Sequence, residues 1–169
     1  TNSRWIVYHK DIGNSDFLFL HEDSTTTGTN YFGNEDPTSS QFTLFAGGFT
    51  TVDYGTSNNY LALLFASLDG ISKVGSYTGN GADNRTIDCG FTSGARFVII
   101  KRTDQQAKWF VFDSQRGIVS GNDPYFALDN SDAQVTSADY VEPANAGFAV
   151  NSHSDFNANG GNYIFYAVA

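Results

Sequence analysis

The segment Arg4-Trp5-Ile6-Val7-Tyr8-His9 returns as Lys108-Trp109-Phe110-Val111-Phe112-Asp113, 104 positions on from Trp5 to Trp109. A second anchor, Asn59-Tyr60-Leu61-Ala62-Leu63-Leu64-Phe65-Ala66, returns as Asn162-Tyr163-Ile164-Phe165-Tyr166-Ala167-Val168-Ala169, 103 positions on from Tyr60 to Tyr163. Two anchors at nearly one spacing define an internal repeat, which restricts the fold to architectures that one half can build twice. Between them Phe17-Leu18-Phe19-Leu20 answers Tyr125-Phe126-Ala127-Leu128, and Gln41-Phe42-Thr43-Leu44 answers Gly147-Phe148-Ala149-Val150. The loops between these matches differ in length, as expected of duplicated scaffolds whose strands fix the packing.

The repeated segments are short and rich in aromatic and β-branched residues, which is the signature of strands. Turn formers such as Gly79-Asn80-Gly81, Ser120-Gly121-Asn122 and Asn159-Gly160-Gly161 separate them. One run is ambiguous, because Leu61, Leu64, Phe65 and Leu68 fall on a helical stripe. Its counterpart at 163–168 reads as β, so a strand is expected there too. The expected fold class is all-β, an antiparallel β-sandwich of the jelly-roll type with internal duplication. It forms a single domain over residues 1–169, built from two related halves at about 4–68 and 73–169. The stretch from Val74 to Arg102 has no upstream partner. Either its strands serve both halves, or the first copy belongs to a longer chain; the exposed edges of a broken sandwich favour the whole-domain reading.

Fifteen Phe and nine Tyr stand against 16% charged residues, so this chain folds by burying rings. The 18 acidic and nine basic residues leave a net charge of −9, with no basic cluster to neutralise phosphates. Nucleic acid and anionic membranes are therefore not expected partners. No run approaches the length of an apolar membrane span, and a soluble chain is expected. The single cysteine, Cys89, has no internal disulfide partner and reads as a small buried filler. The chain starts at Thr1 and contains no Met, as a processed or trimmed chain would.

Catalytic patterns are weak. Glu22, Glu35 and Glu142 are the only glutamates, they lie in polar surroundings, and no paired-carboxylate strand contains them. His9, His21 and His153 lack spaced partners, and there is no Gly-x-Ser-x-Gly elbow. The expectation is a protein that is not an enzyme and needs no cofactor. Calcium is the one ion with a sequence argument: Asp155-x-Asn157-x-Asn159-Gly160 repeats the first half of a calcium loop, with Asp155 and Asn157 as the first suspected ligands. The twelfth position is Tyr166 rather than a bidentate Glu, which excludes an EF-hand and favours a polar hairpin. Sugar recognition needs a ring beside carboxylate or amide groups. Tyr77 with Asn80 and Tyr140 with Asp139 fit that pattern. Rings outside the repeated pattern are the better candidates, which selects Tyr31, and Tyr54 beside Asp53, in the longer polar loops of the first half.

The ordered series Gly75-x-Tyr77-x-Gly79-Asn80-Gly81, Cys89-Gly90-Phe91, Val98-Ile99-Ile100-Lys101, Trp109-Phe110-Val111-Phe112-Asp113-Ser114-x-Arg116-Gly117, Gly147-Phe148-x-Val150 and Asn157-x-Asn159-Gly160-Gly161-x-Tyr163 resembles a tandem-repeat β domain of tailed-phage virion proteins. That domain occurs in tail fibres and appendages of marine and cyanobacterial phages. The resemblance spans a full unit from about Lys73 to Ala169 and a partial one from Trp5 to Leu68. It implies a concanavalin-like, lectin-like sandwich on the virion surface, outside the cell, serving host attachment through a surface glycan or contacting other virion proteins. It also implies a homo-oligomer, with the homotrimer as the usual state of such fibres. No catalytic residue transfers with it. A structural capsid-decoration or filament subunit and a secreted carbohydrate-binding domain are the alternatives. The first copy departs from the pattern, with His9-Lys10-Asp11 where Asp113-Ser114-x-Arg116-Gly117 stands in the second.

Overall fold

The computed structural model describes residues 4–28, 31–44 and 59–169, and among these no helix occurs. The strands in chain order are β1 (Ile6–Val7), β2 (Asp16–Phe19), β3 (Thr27–Gly28), β4 (Ser72–Thr78), β5 (Arg85–Asp88), β6 (Phe97–Arg102), β7 (Trp109–Asp113), β8 (Phe126–Ala127), β9 (Val141–Ala144), β10 (Gly147–Val150) and β11 (Asn162–Val168). They form three antiparallel sheets, ordered β4-β11-β6-β7-β8, β5-β10-β9 and β1-β2-β3. The protein is all-β and sandwich-like.

The first two sheets face each other. Val98, Ile100, Phe110, Phe112 and Phe165 of the five-stranded sheet pack against Ile87, Val141, Phe148 and Val150 of its partner. Strand alternation puts Ile99, Trp109 and Ile164 on the opposite face. That face is covered too, because Leu18 of β2 packs on Trp109 and Ile164. This double covering explains why 109–112 reads as an unbroken apolar run, the pattern of a strand buried on both sides. The Trp109 indole Nε1 donates to the Phe19 carbonyl at 2.9 Å, and the Thr26 amide donates to the Thr103 carbonyl at 3.3 Å. Lys101 is fully buried on the same face. Its ammonium donates to the carbonyls of Asp23, at 3.0 Å, and Ala107, and burial pushes its pKa down to about 8.

The internal repeat is visible as strand register. Ile6 and Val7 pair with Phe19 and Leu18, while Phe110 and Val111 pair with Ala127 and Phe126. The Leu20 amide donates to the Trp5 carbonyl at 3.0 Å, and the Leu128 amide to the Trp109 carbonyl at 3.0 Å. Phe17 pairs with Thr27, just as Tyr125 bridges Val135. Gly13 and Gly121 both hold a positive φ, of 88° and 105°, ahead of the second strand of each copy, where a side chain would be strained. The departure at His9 is absorbed by the same turn: His9 Nδ1 accepts the Asp11 amide at 3.2 Å, and Asp113 Oδ1 accepts the Gln115 amide at 3.0 Å.

Other expectations are corrected. Residues 41–44 and 59–67 form no strand, unlike their counterparts in β10 and β11. A strand needs a partner for its backbone groups, and among the described residues none runs beside either segment except the bridge Leu68 to Ser72. Trp5 holds the repeat register of Trp109 yet is 48% exposed against 5%. Sequence reading omitted β9, whose Pro143 weakens a strand signal; β9 lies at a sheet edge, where proline is tolerated.

Asp123 ties the long β7–β8 connection to the second sheet. It is fully buried, and its carboxylate accepts the Val119 amide at 3.0 Å and the Val141 amide at 3.1 Å. Burial outweighs these donors and pushes its pKa up to about 6. The folded chain therefore binds an extra proton there between the ordinary carboxyl value of 3.8 and about 6. The resulting stabilisation is fully present below the unfolded value and is lost as pH rises through the folded one. Chemical denaturation of wild type and Asp123→Asn should show a stability difference that grows as pH falls from 7 to 4. A pH-independent difference would contradict this. Trp109→Phe should cost about 1–3 kcal/mol, since it removes the indole donor at the layer junction and leaves the Phe19 carbonyl only the longer bond from the Glu22 amide at 3.4 Å. Thermal melts would show it, with the largest gain in hydrogen exchange across β2.

Candidate functional site

An open cleft of about 340 Å³ lies at one end of the sandwich. Its apolar wall grows from the core: Phe110 of β7 meets Tyr125 edge-on at 5.2 Å, and Tyr140 stacks on the fully buried Phe156 at 4.7 Å. His153 lies 4.5 Å from Tyr140 between ring centroids, and Tyr125 lies 5.9 Å from it. Tyr125, Tyr140 and His153 are each half-buried, so packing fixes one side of each ring and the cleft receives another. Burial also raises the Tyr125 hydroxyl above its ordinary value, keeping it a neutral donor.

Polar groups edge these rings. Asp23 comes from the β2–β3 loop, Gln106 and Lys108 from the β6–β7 turn, and Asp155 from the β10–β11 loop. Gln106 Nε2 donates to Asp23 Oδ2 at 2.8 Å, and Lys108 Nζ donates to Asp132 Oδ2 at 3.2 Å. The rim is held from below. The Lys101 ammonium gathers the Asp23 and Ala107 carbonyls, and the Ala107 amide donates to the Asp23 carbonyl at 3.0 Å. The Ser154 carbonyl accepts from Arg102 Nη1 at 2.6 Å and from the Tyr163 hydroxyl at 2.9 Å. Asp104 fixes Arg102 through two hydrogen bonds of 3.0 Å, and this ion pair holds the Asp104 carboxyl below its ordinary value. His153 Nδ1 accepts the Asp155 amide at 3.2 Å, so the imidazole and the carboxylate are set by one turn. Another cleft, of about 430 Å³, sets Lys10, Lys73 and Arg85 beside Asp11 and Asp88, with no comparable cluster of open rings.

The residues singled out by sequence scatter. Asp155 reaches the aromatic cleft, and so does Tyr140, but not Asp139, which accepts Asn151 Nδ2 at 2.8 Å. Tyr31 is 3% exposed and packs edge-on against Phe17 at 4.4 Å, so its ring is part of a core and not displayed on the surface. Tyr77 is likewise buried, stacked on Tyr163 at 4.8 Å. Asp53 and Tyr54 lie outside the described residues. Asn157 is fully buried and locks a turn. Its Oδ1 accepts the Asn80 amide at 3.0 Å and Arg85 Nη1 at 3.3 Å, while its Nδ2 donates to Asn80 Oδ1 at 2.9 Å and to the Ala82 carbonyl at 2.6 Å. The Asn157 side chain is thus engaged at both its oxygen and its nitrogen by the protein itself. No group of three or more metal-ligating His, Cys, Asp or Glu side chains occurs among the described residues. Cys89 is buried, and burial pushes its thiol up to about 12. The sequence did not single out Tyr125, which falls inside the repeated pattern, nor Gln106, Asp23 and His153, which carry no local motif.

This all-β chain belongs to the family described as a domain of unknown function, DUF7483, whose model matches residues 1–169. No curated protein and no solved structure matches the chain. Among the described residues no helix is long and apolar enough to cross a membrane.

Asn157→Ala should cost about 2–4 kcal/mol, because it strands the Asn80 amide and the Ala82 carbonyl. Melts of the wild type should give the same midpoint in calcium and in chelator. A calcium-dependent midpoint abolished by Asn157→Ala would show instead that this residue is a ligand.

Proposed function

We propose that this protein is a non-catalytic attachment module that binds a surface glycan through the cleft of Tyr125, Tyr140 and His153. The observation that carries the reading is the pairing of three half-open rings with Asp155, Asp23 and Gln106 on one rigid rim. A sugar ring offers a CH face to aromatic side chains and hydroxyls to carboxylates and amides, so it satisfies both halves of such a cleft. The aromatic stack is preset by Phe110 and Phe156, which lowers the ordering cost on binding. The net charge of −9 directs the choice toward neutral or amino sugars over sulfated or sialylated ones. The resemblance to phage appendage domains supports a place on a virion surface, in a homo-oligomeric tail fibre, where many weak glycan contacts add up through multivalency.

Glycan-array screening followed by titration tests the reading. Wild type should retain a defined set of neutral glycans, and Tyr140→Ala should weaken the best of them at least tenfold. The rim variant Gln106→Ala, whose side chain is exposed and outside the core, should weaken it severalfold with an unchanged melt. An array with no retained glycan, or equal retention by both variants, would refute it.

A further inference from the structure

The aromatic cleft carries an excess of negative charge. Asp23 and Asp155 line it beside Tyr125, Tyr140 and His153. Asp129 acts electrostatically on the Lys101 ammonium beneath the rim, as Asp23 and Asp155 do, and Asp132 binds Lys108. Asp155 and Asp132 also act on the Tyr125 hydroxyl, so these carboxylates lie within electrostatic range of the ring. Four carboxylates thus stand around the cleft against the two ammonium groups of Lys101 and Lys108. Both ammonium groups are already engaged. Lys101 is fully buried and ends on the carbonyls of Asp23 and Ala107, while Lys108 Nζ is drawn to Asp132 at 3.2 Å. Arg102, below the 153–155 turn, is held by Asp104. Among the described residues neither Asp23 nor Asp155 forms an ion pair. Each also keeps one oxygen that no described donor reaches. Gln106 Nε2 donates to Asp23 Oδ2 at 2.8 Å and Ser154 Oγ to Asp155 Oδ1 at 3.3 Å, which leaves Asp23 Oδ1 and Asp155 Oδ2 open.

Resting on the glycan reading above, we propose that the group this cleft selects is the protonated amine of an amino sugar, held against Tyr125 and Tyr140 and donating to the open oxygen of Asp155, with Asp23 adding to the attraction. Two independent features of the cleft favour the same charge. The faces of its tyrosine rings are electron-rich and attract a cation placed over them. Its carboxylates offer acceptors without a cation of their own, so an incoming ammonium completes pairs that the protein leaves incomplete. His153 has a different part: its Nδ1 accepts the Asp155 amide, so its hydrogen is on Nε2 and serves a sugar hydroxyl. A cleft of about 340 Å³ is at the small end of ligand pockets and takes a single sugar residue. The discrimination is chemical. Acetylating the amine removes its charge and leaves one N–H donor in place of the ammonium's set. A hydroxyl at the same carbon likewise has no charge and a single donor. A sulfate or carboxylate there meets like charge.

The test titrates the full chain with matched glycosides of several hexose configurations, each made with a free amine, an acetamide or a hydroxyl at the same ring carbon. In at least one configuration the free amine should bind about tenfold or more tighter than both of its partners, and added salt should shrink that margin. Asp155→Asn keeps the shape of the side chain and removes its charge, so it should abolish most of the margin. Asp23→Asn, on a separate loop, should reduce it as well. Glycosides that bind with no preference for the amine would overturn this inference and leave the glycan reading standing. An amine preference that both Asn variants retain in full, or that salt does not touch, would also overturn it, since the carboxylates would not be its source. If no glycoside of any kind binds, the glycan reading falls and this inference falls with it.

Discussion

A five-stranded sheet that is apolar on both faces must be covered on both faces, and the described architecture answers that demand. One face closes against β5-β10-β9 around Phe112, Phe148 and Phe165. The other closes against the amino-terminal sheet through Leu18, Trp109 and Ile164. At this second junction the Trp109 indole and the Lys101 ammonium end on backbone carbonyls of the covering segment. Such groups would be costly if left unpaired, so they fix where the covering layer sits as well as whether it sits. That placement brings Asp23, from the first half, to the rim of a cleft whose rings come from the second.

The duplication keeps local geometry and changes its surroundings. Pairing register, the glycine ahead of the second strand, and the side-chain-capped turn at His9 and Asp113 are common to both copies. Burial is not. Trp109 lies under a covering sheet whereas Trp5 is half exposed, and β11 is a strand paired on both sides whereas 59–67 forms no strand. Backbone register is set by a turn and a few neighbouring residues, but burial depends on which other elements reach the same place.

The candidate site follows the same logic. Its rings and carboxylates belong to four connections that ordinary loop variation would leave unrelated. They become a site because each is pinned to a rigid element: Tyr140 by Phe156, the 153–155 turn by Tyr163 and Arg102, and the β7–β8 connection by Asp123. Buried charge serves position here. Lys101 and Asp123 both carry pKa values displaced toward their neutral forms, and both hold backbone groups in place.

Much of the strand content was legible. Trp109-Phe110-Val111-Phe112 and Tyr163-Ile164-Phe165-Tyr166 announce strands because an unbroken aromatic and β-branched run has few other uses, and the repeat placed β1 and β2 beside them. β9 was hidden by Pro143, and the fate of 59–67 was misread because strand propensity does not supply a strand partner. Of the rings chosen for recognition, Tyr31 turned inward onto Phe17 while Tyr140 turned toward the cleft, where Asp155, singled out as a calcium ligand, joins it. The amino-acid order alone determined the all-β character, the turn positions and the duplicated register, since each depends on residues near in sequence. Only the tertiary structure decided which rings are open, that Asn157 locks a turn, and that Asp23 joins Tyr140. Those outcomes depend on distant segments competing for the same space, and local sequence carries no record of that competition.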